Sequence, residues 1–264
     1  MVLAAAVTLI TLAALVIYVL AKGIPHITPE LFALKYTSEN ASMTPAIINT
    51  AIVIVITLLI SLPLGIFSAI YLSEYAKRGT KTVRLIDLTV ETLAGIPSIV
   101  YGLFGYLIFV VAMHFNYSVL SGALTLAIMV LPTIMRTTQE ALNAVPQSYR
   151  EGSFALGAGR VRTIFRIILP SAASGILSGV ILAIGRIVGE TAALIYTCGT
   201  MTGIATDPLT SGRTLSVHLY ILLSEGLYID QAYATAVVLL IAVTIINTLS
   251  DIAAKRLSGK LTAK

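Results

Sequence analysis

Apolar residues in this chain gather into long blocks divided by short polar stretches. Within each block they lie on all sides: neither the period-2 alternation of a half-buried strand nor the one-sided stripe of a surface helix runs through them. A helix needs about 20 such residues to cross the hydrocarbon of a bilayer. Six blocks come near that length, at residues 2–21, 46–71, 96–113, 119–135, 167–198 and 232–249, the fifth interrupted near Arg186. Strands of a membrane barrel would alternate over about 10 residues, and these do not. The pattern predicts an all-α protein, a polytopic membrane helix bundle of six transmembrane helices forming a single transmembrane domain over residues 1–264. The first block has no basic residues before it and no convincing small-residue cleavage site after it, so it is read as a retained helix.

Composition agrees. Charged residues make up 11% of the 264 and hydrophobic ones 57%, with a mean hydropathy of +0.95, whereas soluble domains carry about 25% charge. The net charge of +5 would suit nucleic acid if its carriers formed a patch. They sit instead in clusters between apolar blocks, which is how a membrane protein sets its orientation, and no nucleic-acid partner is expected.

With the N-terminus inside, the inner segments hold Lys77, Arg78, Lys81, Arg84, Arg136, Arg150, Arg160, Arg162, Arg166, Lys255, Arg256, Lys260 and Lys264. The outer ones hold Lys22, Lys35 and Arg213, and Arg186 falls inside the fifth block. Both termini are therefore predicted on the cytoplasmic side of the cell membrane.

Two connections are longer than turns. The outer one, residues 199–231, contains a short apolar run at 215–223 that predicts a re-entrant or interfacial helix. In the inner one, Ser148 and Glu151 have the spacing of a capping box after Pro146. Gly157 and Gly159 then interrupt the helical pattern, and Val161, Ile164, Phe165 and Ile168 resume it. The spacing predicts a cytoplasmic helix-turn-helix over 146–166 that feeds into the fifth span.

Signals for catalysis are missing. No Gly-x-x-x-x-Gly-Lys-[Ser/Thr] loop occurs, so any ATP would have to be bound and hydrolysed by a partner. There is no Gly-x-Ser-x-Gly elbow and no His-Glu-x-x-His pair. Cys198 stands alone, and His26, His114 and His218 have no ligand spacing, which leaves no metal set and no cofactor expected on this chain.

The stretch from Glu151 through Gly157 to Leu169-Pro170 resembles the coupling motif of importer-type ABC permeases, with Gly152 where Ala is usual. The segments Pro63–Ala76, Gly95–Phe104 and Gly185–Leu194 are similar to those of phosphate-import permeases of the PstA type, although Ala193 stands where Pro is usual. The resemblance implies a non-catalytic permease subunit of an ATP-driven, binding-protein-dependent importer of inorganic phosphate. It implies ATPase subunits carrying ATP and Mg²⁺, a second permease of the PstC type and an extracytoplasmic phosphate-binding protein as partners. It further implies that Glu151, Phe154, Gly157 and Arg160 meet the ATPase. Another oxyanion, such as molybdate or sulfate, is the alternative cargo.

Apart from the resemblance, Arg186 and Glu190 are four residues apart, so an unbroken helix would place them on one face as a pair. An intramembrane arginine costs about 2.5–3.5 kcal/mol on insertion scales, and its rigid fork suits a tetrahedral oxyanion. Two readings stand: a substrate pathway, or an ion pair that fixes helix packing. A secondary anion transporter with Glu190 as a proton site would need a second broken helix and an inverted repeat, and only one broken helix is evident. Asp87 and Glu91 read as an inner-interface cluster with Arg84. Asn49, Thr50 and Ser98 either line a path or bond between helices.

Overall fold

The computed structural model describes residues 1–77 and 79–262, with the backbone alone for 250, 251 and 253–262. Arg78 and Lys264, counted above on the inner side, lie outside the described residues, as do the side chains of Lys255, Arg256 and Lys260. Among the described residues every regular element is helical.

Helix α1 (Val2–Gly23) and α2 (Thr44–Ile70) are followed by α3 (Lys81–Ala94), α4 (Ser98–Gly105) and α5 (Val119–Asn143). The short pair α6 (Gln147–Ala155) and α7 (Arg160–Thr163) leads into α8 (Leu169–Gly189), after which come α9 (Ala192–Thr197), α10 (Leu215–Glu225) and α11 (Ile229–Thr262). Three wide, π-type turns extend these helices: Tyr71–Tyr75 carries α2 onward, Tyr106–Ala112 carries α4, and Ile164–Ile168 joins α7 to α8. The last of these stands just before Pro170, which has no N–H to return to the preceding turn; a widened turn accommodates that gap.

Five helices are long and apolar enough to cross a membrane, and a sixth crossing exists only if α3 and α4 are counted as one bent element. This modifies the expectation of a separate third span at 96–113. The chain bends by 103° between Lys81–Ala94 and Ser98–Ala112, because Pro97 disfavours helical geometry at Ile96. Ser98–Ala112 rises only about 22 Å, against a hydrocarbon core of about 30 Å. The break in the fifth block falls at Glu190 and Thr191, four residues beyond Arg186.

Helices α2, α5 and α8 form the centre, each packed on the next, with α11 against α8 and α1 against α11. Val53, Leu126, Met129, Val130, Ile134, Ala183 and Ile187 fill the interior between them. Small residues permit the close approach: a Cβ on Gly175 would lie 2.6 Å from that of Ala141, and one on Gly179 would collide with Thr137. Both positions face α5, so the four-residue glycine spacing on α8 serves a helix contact. By contrast α1 is exposed along its length, including Leu9 and Ile10 at 68%. A stripe so apolar faces lipid or another subunit rather than water.

Candidate functional site

Two regions hold the residues singled out in the sequence. The first is the turn between α6 and α7. Helix α6 begins after Pro146, which occupies the cap position with no side-chain cap. Ser148 is thus already inside the first turn, where its backbone is helical, and the expected capping box with Glu151 does not form. Proline is well suited to that entry because its fixed φ is pre-set for it. Glu151 is exposed, and Phe154 and Leu156 are 46% and 90% exposed.

Gly157 adopts φ +79°, and nothing lies within 4 Å of where its Cβ would be. The requirement for glycine there is therefore conformational, not steric. Its N–H donates to Phe154 O at 2.9 Å, and Ala158 N–H donates to Ser153 O at 3.1 Å, which closes the turn. The buried hydroxyls of Ser153 and Thr163 meet at 2.8 Å across it. Arg160 lies 5.4 Å from the centroid of the Tyr75 ring, so its charge rests against the end of the α2 extension. The structure thus gathers Glu151, Phe154, Gly157 and Arg160 on one protruding turn.

That turn is anchored by residues the sequence reading passed over. Arg150 Nη2 donates to Glu74 Oε1 at 2.6 Å, and the same guanidinium donates to the carbonyls of Leu142 and Val145. The two side chains are 13% and 10% exposed. Arg150 bears on orientation by its charge, and Glu74, an acid three residues beyond the apolar block 46–71, is the sequence signal that a partner is needed there.

The second region is the end of α8. Arg186 is half-buried and lines a cavity of about 590 Å³ with Thr133, Ser178, Ile181, Leu182, Gly185 and Asn247. A second hollow of about 620 Å³ shares Thr133 and Leu182 with it and is lined also by Asp87, Glu91, Arg136 and Glu140. The two hollows adjoin at Thr133 of α5 and Leu182 of α8. Nothing lies within 4 Å of a Cβ built on Gly185 or Gly189, so neither fills the space beside Arg186.

The expected Arg186–Glu190 pair is absent. Among the described residues the ion pairs are His26–Asp230, Arg136–Glu140 and Arg150–Glu74. Pairing at i,i+4 needs a helix running through both residues, and α8 stops at Gly189, where Glu190 turns to ψ 128°. The Glu190 carboxylate, 9% exposed, instead accepts the Ala193 N–H at 3.0 Å and so caps α9. Its carbonyl accepts Ser216 Oγ at 2.6 Å. Arg186 is left at the cavity without a carboxylate partner among the described residues.

Asn49 and Thr50 are bonding groups. Asn49 Nδ2 donates to the carbonyls of Gly203 and Arg213, its Oδ1 accepts Ala205 N–H at 2.9 Å, and Thr50 Oγ1 accepts Leu215 N–H at 2.8 Å. They stitch the segment that leads from α9 into α10 to α2.

A bundle of membrane-length apolar helices that carries an arginine-lined cavity and an exposed helical turn is the architecture of a membrane transport subunit. The chain belongs to the family of binding-protein-dependent transport system inner membrane components, whose match covers residues 61–263. It is 33% identical to the Probable ABC transporter permease protein YqgI of Bacillus subtilis (strain 168), over 99% of this chain and 95% of that one. It is 42% identical to the phosphate transport system permease protein PstA of Pasteurella multocida, over 67% of this chain and 63% of the relative. To PstA 1 of Mycobacterium tuberculosis it is 34% identical, over 84% and 71%. Among solved structures, a chain of a bacterial alginate ABC transporter superposes with a TM-score of 0.74 at 17% identity, covering 98% of this chain and 93% of that one. A chain of the MetNI methionine transporter gives 0.62 at 18%, covering 81% and 94%. These show the fold. The protein is a multi-pass membrane permease subunit.

Proposed function

We propose that this chain is one of two permease subunits of an ATP-driven importer of inorganic phosphate, and that Arg186 contacts the anion in transit. The observation that carries the reading is the half-buried guanidinium of Arg186 on the wall of a cavity, with no carboxylate partner among the described residues. The similarity to PstA relatives supports phosphate as the cargo. An arginine fork makes two parallel bonds to a tetrahedral oxyanion, and the second hollow, which carries Arg136 on the inner side, borders the same Thr133 and Leu182.

In this reading the ATPase, carrying ATP and Mg²⁺, docks on the turn around Glu151, Phe154, Gly157 and Arg160. Movement of α6 is transmitted through Arg150 to Glu74 and the end of α2. A second permease of the PstC type completes the pore, an extracytoplasmic phosphate-binding protein delivers the anion, and both termini lie in the cytoplasm. This chain holds no cofactor of its own. Phosphate uptake by cells lacking the native subunit and supplied with this chain, competed by sulfate and molybdate, tests the cargo. Uptake of phosphate resistant to the other oxyanions is expected; preferential uptake of either competitor would contradict it.

A further inference from the structure

The outer end of the molecule holds a second arginine without an acceptor. Arg213, between α9 and α10, is 3% exposed, yet its Nε and Nη2 make no hydrogen bond. Its backbone is held in place: the N–H donates to Met201 O at 3.0 Å, and the carbonyl accepts Asn49 Nδ2 at 3.3 Å. The guanidinium carbon stands 4.5 Å from the centroid of the Tyr36 ring. Tyr36 is half-buried, so it is the cover between Arg213 and the outside. Fully buried His218, on α10, meets the same ring edge-on at 6.2 Å. Neither of its nitrogens completes a hydrogen bond, although the Ala41 backbone faces it. Burial first, and then the charge of Arg213, push the His218 pKa down to about 3. The ring is therefore neutral and has one N–H to donate.

The tyrosine face satisfies the guanidinium from above, but its Nε and Nη2 donors remain unmatched, and no carboxylate pairs with it among the described residues. A buried cation in that condition is costly unless an anion joins it. The Nε and Nη2 edge is the one that grips an oxyanion through two parallel bonds. We propose that Arg213, with His218 beside it and Tyr36 as its cover, is an oxyanion-receiving site at the outer mouth, separate from the cavity of Arg186.

The inference rests on the reading of the protein as an oxyanion importer and adds a place where the ion is taken up. Next to Arg213 in the chain, the hydroxyls of Thr214 and Ser216 meet at 3.1 Å, and Ser216 Oγ donates to the Glu190 carbonyl just beyond α8, which fixes the segment carrying Arg213 against that break.

The test uses the assembled transporter in lipid nanodiscs, without binding protein or ATP, in an Arg186→Gln background so that remaining binding reports the outer site. Equilibrium binding of radiolabelled inorganic phosphate should weaken at least tenfold with Arg213→Gln and by less with Arg213→Lys. Tyr36→Ala, which removes the cover, should speed phosphate association. Unchanged phosphate binding in Arg213→Gln would overturn the site, as would loss of binding-protein docking alone with phosphate binding intact. Should Arg213→Gln fail to assemble, Tyr36→Ala decides, an unchanged association rate standing against the proposal. If the parent takes up sulfate instead of phosphate, the cargo reading fails; a tenfold loss of sulfate binding in Arg213→Gln would still uphold the site.

Discussion

Arg150 on helix α6 grips Glu74 at the far end of α2, with Nη2 and Oε1 2.6 Å apart. The same guanidinium holds the Leu142 and Val145 carbonyls at the end of α5, so one side chain ties the protruding turn to two central helices. Removing one partner of a pair this buried costs about 3–5 kcal/mol, since the other charge is stranded. Arg150→Met and Glu74→Leu should each lower the thermal midpoint of the assembled complex. The double variant, which strands no charge, should be more stable than either single one. ATPase activity in all three should lose its response to loaded binding protein; a full response in Arg150→Met would remove this link from the coupling path.

Gly157 tests the turn itself. At φ +79° a side chain costs about 1–2 kcal/mol through backbone strain, with open space around it. Gly157→Val should assemble normally yet uncouple hydrolysis from transport, while Gly157→Asn, which tolerates that conformation better, should retain most of the activity. Equal transport by the valine variant and the parent would show that the turn geometry is irrelevant to coupling.

Glu190 separates capping from transport. Its carboxylate accepts the Ala193 N–H, a role that a glutamine oxygen can fill. Glu190→Gln should therefore keep stability and transport near the parent, whereas Glu190→Ala should lose about 1 kcal/mol, as caps do. Complex stability against denaturant and uptake, measured on both variants, check this. Loss of transport in Glu190→Gln at unchanged stability would return the charge to the pathway.

The orientation rests on the basic clusters. Single cysteines replacing Lys77 and Arg160 should react with an impermeant thiol reagent only from the cytoplasm, and one replacing Thr210 only from outside. Cys198 is buried and should stay silent. Reaction of the Arg160 position from outside would reverse the arrangement.

The helical class and most spans were legible because apolar blocks of membrane length admit few alternatives, and Gly157 was legible because an isolated glycine between two helical patterns marks a turn. The bend at Pro97 could be read as a break, but its angle depends on α3 lying across the bundle, which no local pattern states. The Arg186–Glu190 pair was misplaced for a definite reason. Spacing presumes a continuous helix, and α8 ends one residue before Glu190 because that side chain and its carbonyl bond to α9 and α10. Contacts such as Arg150 with Glu74 or Asn49 with Gly203 join residues far apart in sequence, and only folding brings them together.

The central claim is that Arg186, freed from Glu190, contacts the anion in transit. The most direct measurement is phosphate uptake into proteoliposomes, normalised to assembled complex, for the parent, Arg186→Lys and Arg186→Gln. Lysine keeps the charge but loses the fork, so uptake should fall roughly tenfold or more, the equivalent of about 1.4 kcal/mol, and glutamine should abolish it, with assembly unchanged in both. Uptake by Arg186→Gln at the parent rate would contradict the account and place the anion's path elsewhere in the bundle.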